Sequence, residues 1–343
     1  MIDKIKYQRP EVLSGPEIGE DCAVLDFGSY ECVVSTDPIT AAIEMVGTLA
    51  IHVSCNDIAS NGIEPIGVLL TVLLPPETSE IEIEKIMTQA ADAAASLGVG
   101  IIGGHTEITD AVTKPIISST AIGKGRAGHV CRTKVRPGDH ILVTKKLAME
   151  GTGIIAAEHA DALRGVLTEA EIAEAVSMLS EISVVKEGVL AGSIGVSAMH
   201  DITEGGVLGA TWELCRLADL GAEIRRDVLP LAAVTEKICA HYGLDPLKLI
   251  SSGSMMIIAR PEASAKIMTA LRDARVDVAQ IGSIRDKADG IYLVSKTAGD
   301  GSETARDGSH GPAPIIENES AGIASELRVP VLPPGSDEIY KVK

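Results

Sequence analysis

Apolar runs of strand length alternate along this chain with segments of helical periodicity, and this alternation constrains the fold more than any other feature. Residues 66–74 form a continuous apolar run, which predicts a buried strand. A capping box at 79–82 then opens a segment with apolar residues at helical spacing, which predicts a helix that stops at Gly98. Further strands are predicted at 99–102 and 115–122. Such alternation favours helices packed on a sheet, and therefore an α/β fold.

The turn-rich segment 134–139 divides the chain into two predicted units. The first, 1–134, is predicted to be an α+β domain with two helices against one sheet. The second, 135–343, is predicted to be an α/β sandwich, since strand and helix patterns alternate along it. The other predicted segments are an N-terminal arm at 1–20, strands at 22–27, 32–35, 141–144, 196–199, 254–259, 278–284 and 290–294, helices at 47–61, 168–190, 204–218 and 261–274, a loop at 297–313 and an exposed tail from Pro333.

The composition narrows the class of protein. With 45% hydrophobic and 23% charged residues, the chain of 343 residues is globular and long enough for two cores. A formal net charge of −18 and a pI near 4.9 would repel a phosphate backbone, so no nucleic-acid partner is expected. The same field would repel ATP, so a nucleotide site here should rely on divalent cations and oriented backbone N–H groups.

The cysteines and the hydropathy pattern indicate the cellular compartment in which the protein is expected. Six cysteines are widely spaced and include no Cys-x-x-Cys pair, which argues against zinc, an iron–sulfur cluster or a disulfide framework. The N-terminus opens no apolar signal region, and no uncharged stretch reaches the roughly 18 residues that a membrane span needs. The sequence therefore predicts a cytoplasmic protein with no membrane partner.

Five short segments rich in Asp, Glu or Gly are expected where strands end or helices begin, which is where α/β folds place ligands. Asp21, Asp37 and Asp57 offer the hard oxygen ligands that Mg²⁺ prefers. Taken alone, each Asp also fits a helix N-cap or a turn. Asp57 is harder to explain in that way, because an unpaired carboxylate inside an apolar helical stretch is costly. The five segments are 19–21, 35–38, 56–57, 103–107 and 200–206.

Together these segments resemble the superfamily of aminoimidazole ribonucleotide (AIR) synthetase, selenophosphate synthetase, thiamine-monophosphate kinase and the hydrogenase maturation protein HypE. Residues 19–24, Gly-Glu-Asp-Cys-Ala-Val, are similar to the superfamily's Gly-Asp-Asp-Ala-Ala-Val. Residues 35–37 match its Ser-Thr-Asp, and residues 56–65 match its Asn-Asp-Ile-Ala-x-x-Gly-x-x-Pro. In the second half, Asp-Ile-Thr-Glu-Gly-Gly at 201–206 resembles the Asp-Pro-Thr-Arg-Gly-Gly of HypE.

The resemblance implies an AIR synthase-like fold with ATP and Mg²⁺ bound between a ferredoxin-like N-terminal domain and a C-terminal α/β domain. It also implies a homodimer formed by pairing of the N-terminal sheets, and a protein partner in a maturation complex. The metal ligands expected from it are Glu20, Asp21, Asp37 and Asp57. Nucleotide contacts are expected from Gly19, Ser35, Thr36, Asn56, Gly103, Gly104, Thr106, Thr203, Gly205 and Gly206, and catalytic roles from Asp57, His105, Glu107 and Asp201.

The sequence departs from HypE at three places. HypE ends in Pro-Arg-Ile-Cys, whose thiol carries a carboxamide, whereas residues 338–343 read Glu-Ile-Tyr-Lys-Val-Lys and no thiol follows Cys239. The Gly-Asp-Thr-Lys of HypE is Gly-His-Thr-Glu at 104–107, and its Asn-Glu-Gly is Ser-Ser-Gly at 251–253. His105 therefore also fits an ordinary loop histidine with satisfied hydrogen bonds.

Three functions stay open on this sequence. The first is a HypE-like enzyme that uses ATP and Mg²⁺ to phosphorylate an amide or carbonyl oxygen, mostly by positioning and charge neutralisation. The second is a small-molecule kinase resembling thiamine-monophosphate kinase. The third is a catalytically silent nucleotide-binding partner of a maturation complex.

Overall fold

The computed structural model describes residues 9–17, 20–40, 42, 44–296, 315–317 and 326–342. Gly19, the first half of the predicted N-terminal arm and the predicted loop at 297–313 lie outside these residues. Among the described residues, two sheets with helices packed on them confirm the predicted mixed α/β class. No helix in this described part is both long and apolar enough to cross a bilayer.

The first sheet has six strands in the order β1-β2-β3-β6-β4-β5. Strands β4 and β5 are parallel, and the other neighbouring pairs are antiparallel. The capping box of Ser79 and Glu82 opens the helix between β4 and β5 as predicted. The elements are β1 (Val12–Ser14), β2 (Ala23–Asp26), β3 (Tyr30–Ile39), α1 (Val46–Ser60), β4 (Pro65–Leu74), α2 (Glu80–Leu97), β5 (Gly100–Ile108) and β6 (Ile116–Arg126).

Helix α1 is buried around almost its whole circumference. It packs on β3, β6 and α2 of the first sheet, and on α6 (Val185–Ile194) and β8 (Ala198–Ile202) of the second unit. A helix enclosed on both sides must satisfy every polar side chain that it carries, because none of them reaches water. Its polar residues Asn56 and Asp57 therefore need partners within the protein.

The second sheet has eight strands in the order β13-β14-β12-β9-β11-β7-β10-β8. The helices α6 and α9 cover part of it together with α1, and α7 packs on β8 and β9. The other elements are β7 (His140–Thr144), α3 (Met149–Glu158), α4 (Ala160–Leu163), α5 (Glu169–Ser177), α7 (Gly206–Ala218), β9 (Gly221–Arg225), α8 (Ala233–Tyr242), β10 (Ser254–Ala259), α9 (Pro261–Asp273), β11 (Val278–Arg285), β12 (Ile291–Lys296), β13 (Ile315–Glu317) and β14 (Glu326–Pro330).

The predicted single helix over 168–190 is wrong. The capping box of Thr168 opens α5, but the chain then passes through a 3₁₀ turn at Met178–Glu181 before α6 begins at Val185. The reason lies in α1: the Asn56 amide donates to the Ile182 carbonyl at 3.0 Å and accepts from the Val184 N–H at 2.8 Å. Those two backbone groups are thus bound to a side chain of the other unit instead of to a continuous helix.

Two segment predictions on the N-terminal side also need correction. Residues 35–38 are not a turn, because β3 continues through them to Ile39 and pairs with β6 along its whole length. Residues 103–107 are not a loop either, because β5 extends to Ile108 alongside β4. Gly104 permits that pairing, since a Cβ there would lie 2.0 Å from the Leu70 carbonyl oxygen.

The predicted exposed tail is wrong in part. Asp337, Glu338 and Ile339 are buried, and Ile339 packs against the same hydrophobic core as α3 and α8. The backbone of this segment forms a 3₁₀ turn at Glu338–Lys341. An apolar side chain and a carboxylate with good partners outweigh the composition of the tail, which by itself is typical of a disordered end.

Candidate functional site

Four Asp residues from both units lie close together near Ser35. Asp21 precedes β2, Asp37 lies in β3, and Asp57 lies in α1. The Ser35 hydroxyl lies 2.5 Å from Asp57 Oδ2, 3.0 Å from the Asp21 carbonyl oxygen and 3.4 Å from Asp37 Oδ2. Asp201 of β8 faces the same group, since its charge raises the pKa of Asp57. The structure thus brings together the three predicted metal ligands Asp21, Asp37 and Asp57 with the predicted catalytic Asp201.

The carboxylates of this group are short of compensating charge. Burial, followed by the charges of Asp201, Asp37 and Asp21, raises the pKa of Asp57 well above its ordinary range. Burial and then the charge of Asp21 raise the pKa of Asp201 to about 7. Both carboxylate oxygens of Asp201 are buried without a hydrogen-bond partner among the described residues. Buried carboxylates in this state take up either protons or a cation.

His200 is a buried member of this group that the sequence analysis did not assign to the site. Its Nδ1 lies 2.7 Å from the Asp201 carbonyl oxygen and 3.5 Å from Asp21 Oδ2, and its Nε2 lies 3.5 Å from Glu213 Oε2. Burial alone would lower its pKa, but Asp21, Glu213 and Asp201 raise it to about 10. His200 is therefore an imidazolium that offsets part of the acidic charge. Its only signal in the sequence is its position directly before Asp201.

The arrangement fits a divalent cation. One ligand atom each from Asp21, His200 and Asp201 lie within 4.8 Å of one another. Mg²⁺ prefers hard oxygen ligands, so the carboxylates of Asp21 and Asp201 are the better ligands of the three. The two partnerless oxygens of Asp201 are the sharpest indication that a cation belongs here. Glu20 is partly buried beside this group, and burial followed by the charge of Asp21 raises its pKa.

The predicted glycine loop lies at the N-terminus of α7. Gly205 and Gly206 both have left-handed backbone angles, with φ of 75° and 60°. A Cβ at Gly206 would lie 2.5 Å from the Leu247 carbonyl oxygen, so only glycine fits there. The Thr203 carbonyl accepts from the N–H groups of Gly206 and Ser251, each at 3.2 Å. The loop is therefore rigidly held at a helix end suited to anions.

The carboxylate of Asp337 occupies part of this helix end. Its Oδ2 accepts from the Gly205 N–H at 2.8 Å, and its Oδ1 accepts from the N–H groups of Ile250 and Ile339 at 3.2 and 2.9 Å. Three separate chain segments thus meet at one buried carboxylate. The C-terminal segment therefore holds the glycine loop in place through the carboxylate of Asp337.

Other predicted site residues lie elsewhere. The amide of Asn56 is fully buried and committed to the backbone at 182 and 184, so it joins the two units. Thr36 points away from the acidic group and lies 2.9 Å from the hydroxyl of Thr120. Gly103, Gly104, His105, Thr106 and Glu107 lie on the exposed edge strand β5, three strands from β3 and so about 14 Å away.

Comparison with models of known protein families identifies the family of this chain. A family model described as "AIR synthase related protein, N-terminal domain" matches residues 19–124, and the corresponding C-terminal domain model matches residues 136–294. The chain belongs to the AIR synthase related family. The resemblance inferred from the sequence motifs is thereby confirmed.

Two curated relatives of this AIR synthase related protein cover most of its length. A putative hydrogenase expression/formation protein of Methanocaldococcus jannaschii is 28% identical over 267 residues, which cover 76% of this chain and 77% of the relative. The carbamoyl dehydratase HypE of Escherichia coli is 27% identical over 276 residues, which cover 76% of this chain and 78% of HypE.

Solved structures share the fold. The HypE–HypF complex superposes with a TM-score of 0.70 at 20% identity, over 81% of this chain and 90% of that one. HypE in complex with ATP gives a TM-score of 0.66 at 23% identity, over 83% and 87% of the two chains. ThiL complexed with AMPPCP and TMP gives 0.66 at 20% identity, over 80% and 87%. The AIR synthase-like fold predicted from the sequence is confirmed.

Proposed function

We propose that this AIR synthase related protein is an enzyme that uses ATP and Mg²⁺ to phosphorylate an amide or carbonyl oxygen of its substrate. The observation that carries the proposal is the convergence of Asp21, Asp37, Asp57 and Asp201 where the two units meet, with two buried oxygens of Asp201 that have no partner among the described residues. Similarity to HypE proteins, one of which is solved with ATP, supports the choice of nucleotide.

The residues of the chain would act by positioning and by electrostatics. Asp21 and Asp201, with Asp57 beside them, would hold the cation, which supplies neutralisation of the phosphate charge. His200 adds one fixed positive charge beside Asp21. The Gly205 N–H at the helix end would be free for a phosphate if the carboxylate of Asp337 were displaced, whereas the Gly206 N–H donates to the Thr203 carbonyl. In the reaction the acceptor oxygen bonds to the γ-phosphorus as the bond to the bridging oxygen breaks, which releases ADP.

We propose that the acceptor group is carried by a separate molecule, because four of the six thiols of the chain are buried and the other two, Cys32 and Cys131, are partly buried with raised pKa values. Burial raises the pKa of Cys55, Cys215 and Cys239 to about 12, and that of Cys22 well above its ordinary value. A thiol in this state is neither exposed nor ionised, so it cannot attack an activated group.

A homodimer and a protein partner complete the proposal. The outer face of the first sheet exposes Ile66, Leu69, Ile101, Ile102 and Ile108 along β4 and β5. This row of side chains is apolar and lies beside the unpaired edge of β5. A second copy that covers it would bury the exposed apolar surface and shield the unpaired backbone groups of that edge. The known complex of HypE with HypF supports a partner in a maturation complex.

The test is an ATP-consumption screen with carboxamides, thioamides and phosphomonoesters, with and without Mg²⁺. We expect turnover that depends on Mg²⁺ and releases inorganic phosphate from an unstable phosphorylated amide. A stable phosphorylated product would favour the kinase alternative, and ATP binding without turnover would favour the silent partner. The matched variants are Asp57→Asn, which should lose turnover, and Asp92→Asn on the exposed side of α2, which should keep it.

A further inference from the structure

A cavity of about 390 Å³ opens beside the acidic group and has no part in the site described so far. It lies between β1, the joint that connects the two units, and the end of α7. Its volume is at the small end of the range of roughly 300–1,000 Å³ for ligand sites. The lining that matters consists of Leu13, Glu20, Arg132, Thr133, Lys134 and Leu217.

The cavity borders the proposed phosphoryl-transfer site. Glu20 lines it, and the next residue is Asp21. On α7, Leu217 lines the cavity one helical turn after Glu213, which contacts His200. Four residues of helix correspond to a rise of about 6 Å. A small molecule in the cavity would therefore lie next to the Asp21 end of the acidic group.

Arg132 is held in place on one side of the cavity. Its Nη2 lies 2.7 Å from Oε1 of Glu31, a buried carboxylate, while 40% of the Arg132 side chain is exposed. A guanidinium carries five N–H donors in a rigid fork, so one ion pair leaves others free to bind an anion. Glu31 thus fixes the orientation of Arg132 without using all of its donors.

Lys134 places a second cation on the same side. Its backbone N–H donates to the Ser197 carbonyl at 2.7 Å, which fixes the chain at this point, and no ion pair of its ammonium is found in the described part of the chain. In a protein of net charge −18, two cations beside an acidic cluster are a local exception.

We propose that this cavity binds the acceptor substrate, and that it does so through an anionic group held by Arg132 and Lys134. The hydroxyl of Thr133 offers a further hydrogen bond, and Leu13 and Leu217 provide an apolar wall for the carbon skeleton. The oxygen to be phosphorylated then points toward Asp21. A carboxylate and a phosphate monoester both satisfy these groups. The role as acceptor site rests on the proposed function, whereas the binding of an anion does not.

The test is equilibrium dialysis of the full chain against radiolabelled phosphate and, separately, radiolabelled acetate, in EDTA so that no metal recruits the anion to the acidic group. The variants are Arg132→Gln and Lys134→Gln. The control is Arg136→Gln, an exposed cation of the same segment that does not line the cavity. Each cavity variant should weaken binding about tenfold, as expected for a charge-assisted hydrogen bond, and the control should not. The anion bound more tightly identifies the source.

Two results would overturn the proposal. One is unchanged binding in Lys134→Gln, and the other is no detectable binding of either anion to the wild-type chain at about 20 mM, a concentration that reveals even weak ligand sites. Lys134→Gln is the decisive variant because it leaves the Arg132–Glu31 pair intact. A second measurement assigns the cavity: calorimetry of ATP with Mg²⁺ should give equal affinities for wild type and both cavity variants. A loss of ATP affinity would give the cavity to the nucleotide and refute the acceptor role. Absence of ATP binding to the wild type, with anion binding intact, would refute the proposed function and leave only the anion site.

Discussion

Replacing Glu150 with Gln should stabilise the protein at alkaline pH and have little effect in acid. Glu150 lies in α3 and is 3% exposed, and its Oε2 has no hydrogen-bond partner among the described residues. Burial is the main reason that its pKa rises from 4.5 to about 7, and the charges of Glu204 and Asp337 add to the effect, while Ser252 opposes it. The folded state therefore prefers the protonated carboxyl.

The sign follows from proton linkage. Between pH 4.5 and about 7 the folded state binds more protons at Glu150 than the unfolded state does, so the free energy of unfolding falls as pH rises. Raising the pKa from 4.5 to about 7 corresponds to about 3 kcal/mol. Stability is therefore fully present below pH 4.5 and lost by the time the pH passes 7. A neutral Gln of the same shape removes this loss.

Urea unfolding of wild type and Glu150→Gln between pH 4.5 and 8.5, in EDTA, measures the effect. The difference in unfolding free energy should be near zero at pH 4.5 and grow to about 3 kcal/mol in favour of the variant at pH 8. Groups common to both proteins cancel in this difference, except the neighbours Glu204 and Asp337.

Glu187→Gln is the matched control. Glu187 is equally buried, but it pairs with Lys145 at 3.0 Å, so neutralising it leaves a partly buried ammonium without its carboxylate and should destabilise the protein. The reasoning about Glu150 is refuted by a variant no more stable than wild type at pH 8, or by a difference that does not change with pH.

Three further outcomes are expected. Mg²⁺ should raise the melting temperature more at pH 8 than at pH 5.5, because protons compete with the cation for Asp57 and Asp201, whose pKa values are raised. Equal shifts at both pH values, or a shift in Asp201→Asn as large as in the wild type, would argue against a cation there. Asp337→Ala should lower the free energy of unfolding, measured by urea denaturation, by about 2–4 kcal/mol, since three buried N–H groups lose their acceptor. A cost below about 0.5 kcal/mol would show that the C-terminal segment does not stabilise the glycine loop. In analytical sedimentation, Ile102→Glu should convert a dimer to a monomer, whereas Ile81→Glu on the exposed side of α2 should leave the dimer intact. A monomeric wild-type protein would contradict the proposed dimer.

Parts of the fold that depend on local pattern could be predicted from the sequence. The helix after Ser79 begins and ends within a residue of its predicted bounds, because the capping box and Gly98 act within a few residues of the chain. The convergence of Asp21, Asp37 and Asp57 was also predicted, since a carboxylate such as Asp57 inside an apolar helix indicates a site wherever the helix packs.

The roles of single side chains could not be predicted in the same way. Asn56 lies in the same motif as Asp57, yet it joins the two units, because neighbouring residues on a helix point in different directions. Thr36 faces away from the site for the analogous reason in a strand, where successive side chains alternate between the faces of the sheet. A motif therefore predicts a site more reliably than it predicts the role of each member.

The sequence by itself determined the fold class, the bounds of the most regularly patterned elements and the acidic character of the site, because periodicity, capping and charge are properties of neighbours along the chain. The tertiary structure alone decided the rest. It surrounds His200 with carboxylates, including Asp21 and Glu213 from distant segments, and it buries Asp337 under the glycine loop. It also places the segment 103–107 on an outer edge. These outcomes depend on which elements pack face to face, and the energy of a buried charge is set by partners that no local pattern contains.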